Sequence, residues 1–234
     1  MPSPADTSVM IFAAGRGQRM MPLTKDTPKP LLKIGKLSLI EHQIKRLRFY
    51  GFKQLVINVS YLGDKIIETL GNGSDRDVSI DYSDERISGA LETAGGIINA
   101  LDKIKSEHFL CVNADIWSDI NFEKFFEFHT NNDSPASIIL APNPDHNLNG
   151  DFAFDNTSNK VCNIDEKSGQ QTWTFTGIGI YSKQLFSSIK QGKQPLAPLL
   201  KQLSRENKLS GLIHRGQWQD IGTPERLENI NQRF

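Results

Sequence analysis

Short apolar runs alternate with helical segments over the first 141 residues, and this alternation is the strongest constraint on the fold. Five apolar runs have the length of buried strands, at residues 9–14, 52–59, 78–82, 108–112 and 136–141. Helical periodicity and capping signals predict four helices between them, at residues 39–50, 64–70, 96–101 and 122–129. Strands that are connected through helices pair in parallel by right-handed crossovers. We therefore expect an α/β fold with a mainly parallel sheet covered by helices on both faces.

The remaining third of the chain has a different pattern. Short alternating strands at residues 152–154 and 172–181 are separated by Asn, Asp and Gly clusters, which is typical of antiparallel strands. Two further helices are predicted at residues 195–204 and 224–231. Because the sequence has no internal repeat and no low-complexity linker, we expect one domain over residues 1–234, in which the antiparallel strands extend the same sheet.

The charge balance disfavours some classes of partner. Lys and Arg total 27, as do Asp and Glu, so no overall field attracts nucleic acid or an anionic membrane, and we expect neither as a partner. No apolar run approaches the ~20 residues of a membrane span, and the N-terminus lacks the layout of a secretory signal, which predicts a cytoplasmic protein. Cys111 and Cys162 lie in apolar runs without Cys-x-x-Cys spacing, so we expect core side chains and neither a zinc site nor a disulfide.

A long loop, residues 15–36, follows the first predicted strand, and loops of this length inside compact domains are usually functional. Small residues that let backbone N–H groups approach an anion begin the loop, and a delocalised cation follows: Ala13, Ala14, Gly15, Arg16, Gly17, Gln18, Arg19. Met20 occupies the third glycine position of a dinucleotide fingerprint, and no Gly-Lys-Ser/Thr follows, so neither that motif nor a Walker loop matches. The pattern predicts a phosphate-binding loop.

A lysine in the same loop is held between two prolines, in the order Pro28, Lys29, Pro30. The fixed φ of proline and its restriction of the preceding residue stiffen the main chain around the cation. An isolated lysine of this kind is usually only an exposed loop residue. Beside a phosphate-binding loop, however, it is a positioned positive charge.

Two aspartates, Asp115 and Asp220, each follow an apolar run. Mg²⁺ typically uses one or two carboxylates together with phosphate oxygens and waters. Taken singly, Asp115 could be a turn residue and Asp220 a helix cap. With the phosphate loop and Lys29 they are the parts needed for metal-assisted phosphoryl or nucleotidyl transfer. The five histidines have no neighbouring serine or cysteine motif, which disfavours a hydrolytic triad.

Segments along nearly the whole chain form a longer pattern, namely Ala13 to Thr24, Pro28 to Leu31, Leu91 to Gly96, Val112 to Trp117, Gly150 to Phe152 and Trp218 to Thr223. Together they resemble the signature of the sugar-1-phosphate nucleotidyltransferases. The resemblance implies a Rossmann-like fold of the glycosyltransferase-A type, with a mixed, mainly parallel sheet and a small antiparallel elaboration. It also implies a reaction in which UTP and a sugar 1-phosphate give a UDP-sugar and pyrophosphate, with Mg²⁺ as cofactor.

The resemblance assigns roles by position. Nucleotide-binding residues would be Ala13, Ala14, Gly15, Gly17, Gln18, Arg19, Lys29, Glu92, Gly95 and Asn113. Arg19 and Lys29 would also be catalytic, because they would neutralise charge at the α-phosphorus. Asp115 and Asp220 would bind the metal, and Asp151 and Glu166 would contact the sugar phosphate. On this basis residues 1–142 form the nucleotide-binding part, residues 143–222 the sugar-binding part and residues 223–234 a C-terminal helix.

Two other kinds of function compete with this one. A catalytically silent nucleotide-sugar sensor would be favoured by loss of Lys29 or of either aspartate, and all three residues are present. A glycosyltransferase that uses a finished nucleotide sugar usually has an Asp-x-Asp metal pair, whereas Ile116 and Trp117 follow Asp115. The sequence does not fix the choice of base and sugar, so mannose 1-phosphate with GTP and glucose 1-phosphate with UTP or dTTP are alternative substrates. Glu166 with Lys167 is equally compatible with a solvated charged turn.

Overall fold

The computed structural model describes residues 3–165 and 169–234 of the chain. The strands are β1 (Ser8–Phe12), β2 (Lys33–Ile34), β3 (Leu37–Ser38), β4 (Gln54–Val59), β5 (Ser79–Asp84), β6 (His108–Asn113), β7 (Ile116–Ser118), β8 (Ala136–Ala141), β9 (Phe152–Asp155), β10 (Lys160–Cys162), β11 (Thr172–Ser182), β12 (Leu209–Ile213) and β13 (Trp218–Asp220). The helices are α1 (Leu39–Phe49), α2 (Gly63–Leu70), α3 (Glu92–Ala100), α4 (Phe122–Thr130), α5 (Ala197–Arg205) and α6 (Pro224–Asn231).

Nine strands form one sheet in the order β5-β4-β1-β6-β11-β8-β12-β10-β9. The first four pair in parallel, and β12 pairs in parallel with β8. Strands β11 and β10 run opposite to their neighbours, so seven of the nine described strands share one direction. In addition, β9 pairs with β11 as well as with β10, which closes a ring of five strands. This mixed, mainly parallel sheet with an antiparallel elaboration confirms the predicted α/β fold.

Alternate residues of the central strands face opposite sides of the sheet. In β1, Val9 and Ile11 belong to a core cluster with α1, α2 and α4, whereas Met10 belongs to a second cluster with α3 and α5. Each cluster removes a strip of apolar side chains from water, which is the main source of stability in such a layered fold. The prediction that helices cover both faces is therefore confirmed.

A third, smaller apolar cluster lies under the C-terminal helix. Leu227 and Ile230 of α6 pack with Met20 of the phosphate loop and with Ile221, which follows β13. Thr223 caps α6, because its hydroxyl accepts a hydrogen bond from the Arg226 amide. Helix α6 thus fixes the loop that carries Arg19.

Helix α3 begins at Glu92, four residues before the predicted start at residue 96. The local sequence pattern favours a loop up to residue 96, because glycine is a poor helix former. Both Gly95 and Gly96 are needed for close packing: a β-carbon on Gly95 would lie 2.3 Å from the Gly192 carbonyl oxygen, and one on Gly96 would lie 2.9 Å from Glu85 Oε1. Tertiary contacts therefore outweigh the local preference of the glycines.

Several short strands were not predicted, namely β2, β3, β7, β10, β12 and β13. Each has two to five residues, too few for alternation to be distinguished from an irregular loop. Strand β12 lies between β8 and β10 in the sheet, so its pairing depends on residues far away in the chain.

Both thiols of the described residues are free. Cys111 is fully buried, as predicted, whereas Cys162 is only half-buried because it ends the short strand β10. Within the described residues no helix is both long enough and apolar enough to cross a membrane.

Candidate active site

The carboxyl ends of β1, β4, β5 and β6 meet at one edge of the sheet, where parallel sheets usually bind ligands. A cavity of about 680 Å³ opens there. Its lining contains nine of the ten predicted nucleotide-binding residues, namely Ala13, Ala14, Gly15, Gly17, Gln18, Arg19, Lys29, Glu92 and Asn113. The structure therefore brings together residues up to 100 positions apart in the sequence.

Gly17 connects the phosphate loop to the lysine. Its φ of 65° lies in the left-handed region, which glycine adopts without strain. A β-carbon there would lie 3.0 Å from Lys29 Cβ and 3.0 Å from Thr24 Cγ2, so a larger residue would separate the loop from Lys29. The Thr24 hydroxyl donates a hydrogen bond to the Gly17 carbonyl oxygen at 2.9 Å, which holds this contact in place.

Lys29 and Asp115 form a direct ion pair through Lys29 Nζ and Asp115 Oδ2. Their side chains are 13% and 25% exposed, so both charges are largely removed from solvent. Asp115 lies in the turn between β6 and β7 and lines the same cavity. The rigid lysine is thus positioned by the first predicted metal ligand.

Asp220, the second predicted metal ligand, is brought to the turn that holds Asp115 by the pairing of β13 with β7. Asp220 lies opposite Ile116 in that ladder, and the Ile221 amide donates a hydrogen bond to the Asp115 carbonyl oxygen at 2.8 Å. The two aspartates are 105 positions apart in sequence, yet each is hydrogen-bonded to or paired with the residue next to the other. Helix α1 supports the ladder from behind, because the side chain of Gln43 donates to the Ile116 carbonyl oxygen.

Asp220 has two basic neighbours. Arg226 Nη1 donates to both carboxylate oxygens of Asp220 at 2.7 Å, and His146 Nε2 lies 3.1 Å from Oδ1. A β-carbon on Gly222 would lie 2.9 Å from Asp220 Oδ2 and 3.2 Å from Arg19 Nη2. Glycine at this position is what allows the carboxylate and the two arginines to approach one another.

The donor set fits Mg²⁺ bound jointly with phosphates. No group of three His, Cys, Asp or Glu side chains in the described residues could hold a metal ion unaided. Asp115 and Asp220 offer two carboxylates, and Mg²⁺ commonly takes one or two of these and completes its shell with phosphate oxygens and water. Each of the two carboxylates also contacts a cationic side chain, Asp115 that of Lys29 and Asp220 that of Arg226, so a bound metal would share the carboxylate oxygens with these partners.

A second cavity of about 1460 Å³ adjoins the first. Arg19, Glu92, Thr93 and Asn113 line both cavities, so they lie at the junction between them. Asp151, the predicted sugar-side contact, lines the larger cavity. Two adjoining cavities with a cation at the junction can hold two phosphate-bearing substrates next to each other, as a reaction between them needs.

A sequence profile described as "Nucleotidyl transferase" matches residues 8–234. The chain belongs to this family. It is 43% identical over 224 residues, 94% of each chain, to the N-acetylmuramate alpha-1-phosphate uridylyltransferase of Neisseria meningitidis. It is 25% identical to a mannose-1-phosphate guanylyltransferase of Mycobacterium tuberculosis, covering 92% of this chain and 61% of that relative. The crystal structure of HddC from Yersinia pseudotuberculosis with GMP-PN shares the fold, with a TM-score of 0.78, 24% identity, and coverage of 97% and 99% of the two chains.

This nucleotidyl transferase has site residues that sequence reasoning missed. The buried carboxylate of Glu85 accepts hydrogen bonds from Asn58 Nδ2 at 2.7 Å and from the Leu91 amide at 2.9 Å. Asn58 Oδ1 in turn accepts from the Ala13 amide at 2.8 Å. Burial raises the pKa of the Glu85 carboxyl, although these hydrogen bonds act to lower it. These hydrogen bonds connect the start of the phosphate loop to the start of α3.

The sequence contains a weak signal for Glu85, which follows a predicted strand and precedes a glycine-rich loop. Asn58 gave no signal, because a single polar residue inside an apolar strand does not indicate which group it contacts. Arg226 and His146 likewise gave none, since their importance comes from contact with Asp220 and not from a local pattern.

The predicted residues of α3 differ in their placement. Glu92 has a φ of 61°, uncommon for a residue other than glycine, and its carboxylate lies 3.5 Å from Lys193 Nζ. Such a conformation at a cavity junction is typical of a functional position. Gly95 instead packs against the backbone of the Gly192–Gln194 segment, and its nucleotide-binding role stays a prediction.

The sugar-side residues are described in part. The Asp151 carboxylate accepts a hydrogen bond from the Phe175 amide at 2.8 Å, which anchors the loop before β9 to β11. Glu166 lies outside the described residues. The division into residues 1–142, 143–222 and 223–234 also stays a prediction.

Proposed function

We propose that this nucleotidyl transferase transfers the uridylyl group of UTP to N-acetylmuramate 1-phosphate and so forms UDP-N-acetylmuramate and pyrophosphate. The observation that carries the proposal is the similarity, over 94% of both chains, to a relative with that name. The convergence of Arg19, Lys29, Asp115 and Asp220 at two adjoining cavities supports it. The proposal includes a cytoplasmic role in bacterial peptidoglycan recycling.

In this reaction a phosphate oxygen of the sugar 1-phosphate bonds to the α-phosphorus of UTP, and the bond to pyrophosphate breaks. Catalysis then consists mainly of positioning and of stabilising charge at phosphorus. Arg19 lines both cavities and so lies at their junction, where the substrates would meet, and Lys29 lines the smaller cavity. The protein supplies no covalent nucleophile in this scheme.

Mg²⁺ is the proposed cofactor, with Asp115 and Asp220 as its protein ligands. When bound, it would neutralise phosphate charge and orient the triphosphate. Arg226 and Lys29 would keep the two carboxylates oriented toward it through their ion pairs.

The test is a pyrophosphate-release assay that crosses UTP, dTTP, GTP and CTP with several sugar 1-phosphates. We expect the highest kcat/KM for UTP with N-acetylmuramate 1-phosphate, and no turnover after chelation of Mg²⁺. Preference for GTP with mannose 1-phosphate, the activity named for the mycobacterial relative, would replace the proposed substrates. Binding of UTP without turnover of any pair would instead indicate a nucleotide sensor.

A further inference from the structure

The larger cavity has a positively charged wall that the proposed chemistry does not use. Helix α5 presents Ala197, Leu200, Lys201 and Arg205 to the cavity, and this spacing places them on one face of the helix. Lys201 and Arg205 are four residues apart and therefore neighbours on that face. Both side chains are exposed.

Neither cation is neutralised by residues of the described ranges. No ion pair or side-chain hydrogen bond within residues 3–165 and 169–234 involves Lys201 Nζ or the Arg205 guanidinium. The carboxylates that line the same cavity have other partners: Asp220 contacts Arg226, Asp151 accepts from the Phe175 amide, and Glu92 contacts Lys193. Within the described part of the chain, the wall therefore has two uncompensated positive charges.

Apart from these charged groups, Arg19 and His146, the polar lining of the larger cavity is neutral within the described residues. Amides and hydroxyls on the loop before β9 and on β11 line this cavity, including Asn147, Asn149, Thr172 and Thr174. Such groups suit sugar hydroxyls and an acetamido group, while Arg19 at the junction suits the phosphate. Two cations on a separate wall match a second anionic group of the sugar.

We propose that Lys201 and Arg205 determine specificity by binding a carboxylate carried by the sugar 1-phosphate. The inference rests on the proposed function, in which that carboxylate is the lactyl ether group of N-acetylmuramate. N-acetylglucosamine 1-phosphate is the same molecule without this group, so the pair of sugars isolates its contribution.

The test measures dissociation constants of both sugar phosphates by titration calorimetry, for the wild type and for a Lys201→Met/Arg205→Met variant. We expect the wild type to bind N-acetylmuramate 1-phosphate about tenfold more tightly, because a charge-assisted hydrogen bond is worth roughly that much. In the double variant the two constants become equal within about twofold. Lys124→Met, which removes an exposed helical cation outside the cavities, is the matched control and should keep the tenfold ratio.

Equal affinities in the wild type, or an unchanged ratio in the double variant, would overturn the inference. Thermal unfolding verifies that each variant is folded. The Lys201→Arg/Arg205→Lys variant keeps both positive charges and should therefore keep the tenfold preference. It tests the inference even if Met at these positions disrupts α5. The binding ratio does not depend on turnover. Absence of pyrophosphate release with a correctly bound N-acetylmuramate 1-phosphate would therefore count against the proposed function alone.

Discussion

Lys29 and Asp115 form an ion pair in the lining of the smaller cavity, and neither belongs to an apolar core cluster. We expect Lys29→Met and Asp115→Asn each to lower kcat by about 100-fold, since electrostatic stabilisation of the transition state, directly by Lys29 and through the proposed Mg²⁺ for Asp115, commonly contributes that much. Pyrophosphate release measures the loss. The midpoint of thermal unfolding should shift by only a few degrees, because neither side chain packs in an apolar core cluster. Unfolding of either variant at the assay temperature would mean that the ion pair is mainly structural.

Gly222 is a second residue at which a small change should have a large effect. The methyl group of Gly222→Ala would press against Asp220 Oδ2 and Arg19 Nη2, at 2.9 Å and 3.2 Å. We expect kcat/KM to fall at least about tenfold, because displacement of a catalytic group by a few tenths of an ångström weakens its contacts in the transition state. Full activity of a folded Gly222→Ala protein would show that Arg19 and Asp220 need not approach each other.

Helix α6 contacts the carboxylate of Asp220, the second proposed ligand of Mg²⁺. Arg226 donates to both oxygens of Asp220 at 2.7 Å, and the apolar face of the helix packs on the phosphate loop. We expect Arg226→Ala to raise the Mg²⁺ concentration for half-maximal activity several-fold, because the freed carboxylate loses orientation. Titration with Mn²⁺, followed by its magnetic resonance signal, measures the same change without turnover.

Arg226→Lys is the matched variant, since it keeps the charge but loses the planar donor fork. It should restore part of the metal affinity. If Arg226→Ala binds Mn²⁺ more tightly than the wild type, then Arg226 competes with the metal and does not orient its ligand.

At the level of elements, the sequence predicted the long helices and the central strands, because periodicity and caps act over a few neighbouring residues. It placed the start of α3 too late, since Gly95 and Gly96 are tolerated there only through contacts with Gly192 and Glu85. It also missed the ladder of β7 with β13, which has three residues on each side and brings Asp220 to Asp115.

On the scale of the whole molecule, a pair of histidines links three elements of the sheet and its helices; His129 is buried and His108 is half-buried. His129 of α4 contacts His108 Nδ1 of β6 at 2.7 Å and the Ser137 hydroxyl of β8 at 2.8 Å. Burial, with His108 as a second cause, lowers the pKa of His129 to about 4. The folded protein therefore keeps this imidazole neutral under conditions in which the unfolded chain would protonate it.

The free energy of unfolding should accordingly depend on pH. Above the unfolded pKa of 6.5, His129 makes its full contribution to the free energy of unfolding. This contribution is lost as the pH falls toward about 4, and the loss reaches at most about 3 kcal/mol. Denaturant unfolding between pH 4 and pH 7 measures it, and subtraction of the curve for His129→Asn removes the contributions of other groups, such as Glu85. Parallel curves for the two proteins would show that His129 does not titrate in this way.

The sequence alone determined the long helices and the central strands of the sheet. It also determined that the phosphate loop and Asp115 follow strands and that Lys29 lies in the segment between β1 and β2. Because parallel strands end at a common edge, their convergence could be predicted. Only the tertiary structure decided that Arg226 and His146 contact Asp220, that Asn58 and Glu85 hold the loop, and that β9 closes a ring with β11. The physical reason is separation along the chain. Periodicity and capping act between near neighbours in sequence, whereas these contacts join residues whose approach depends on the packing of the entire sheet.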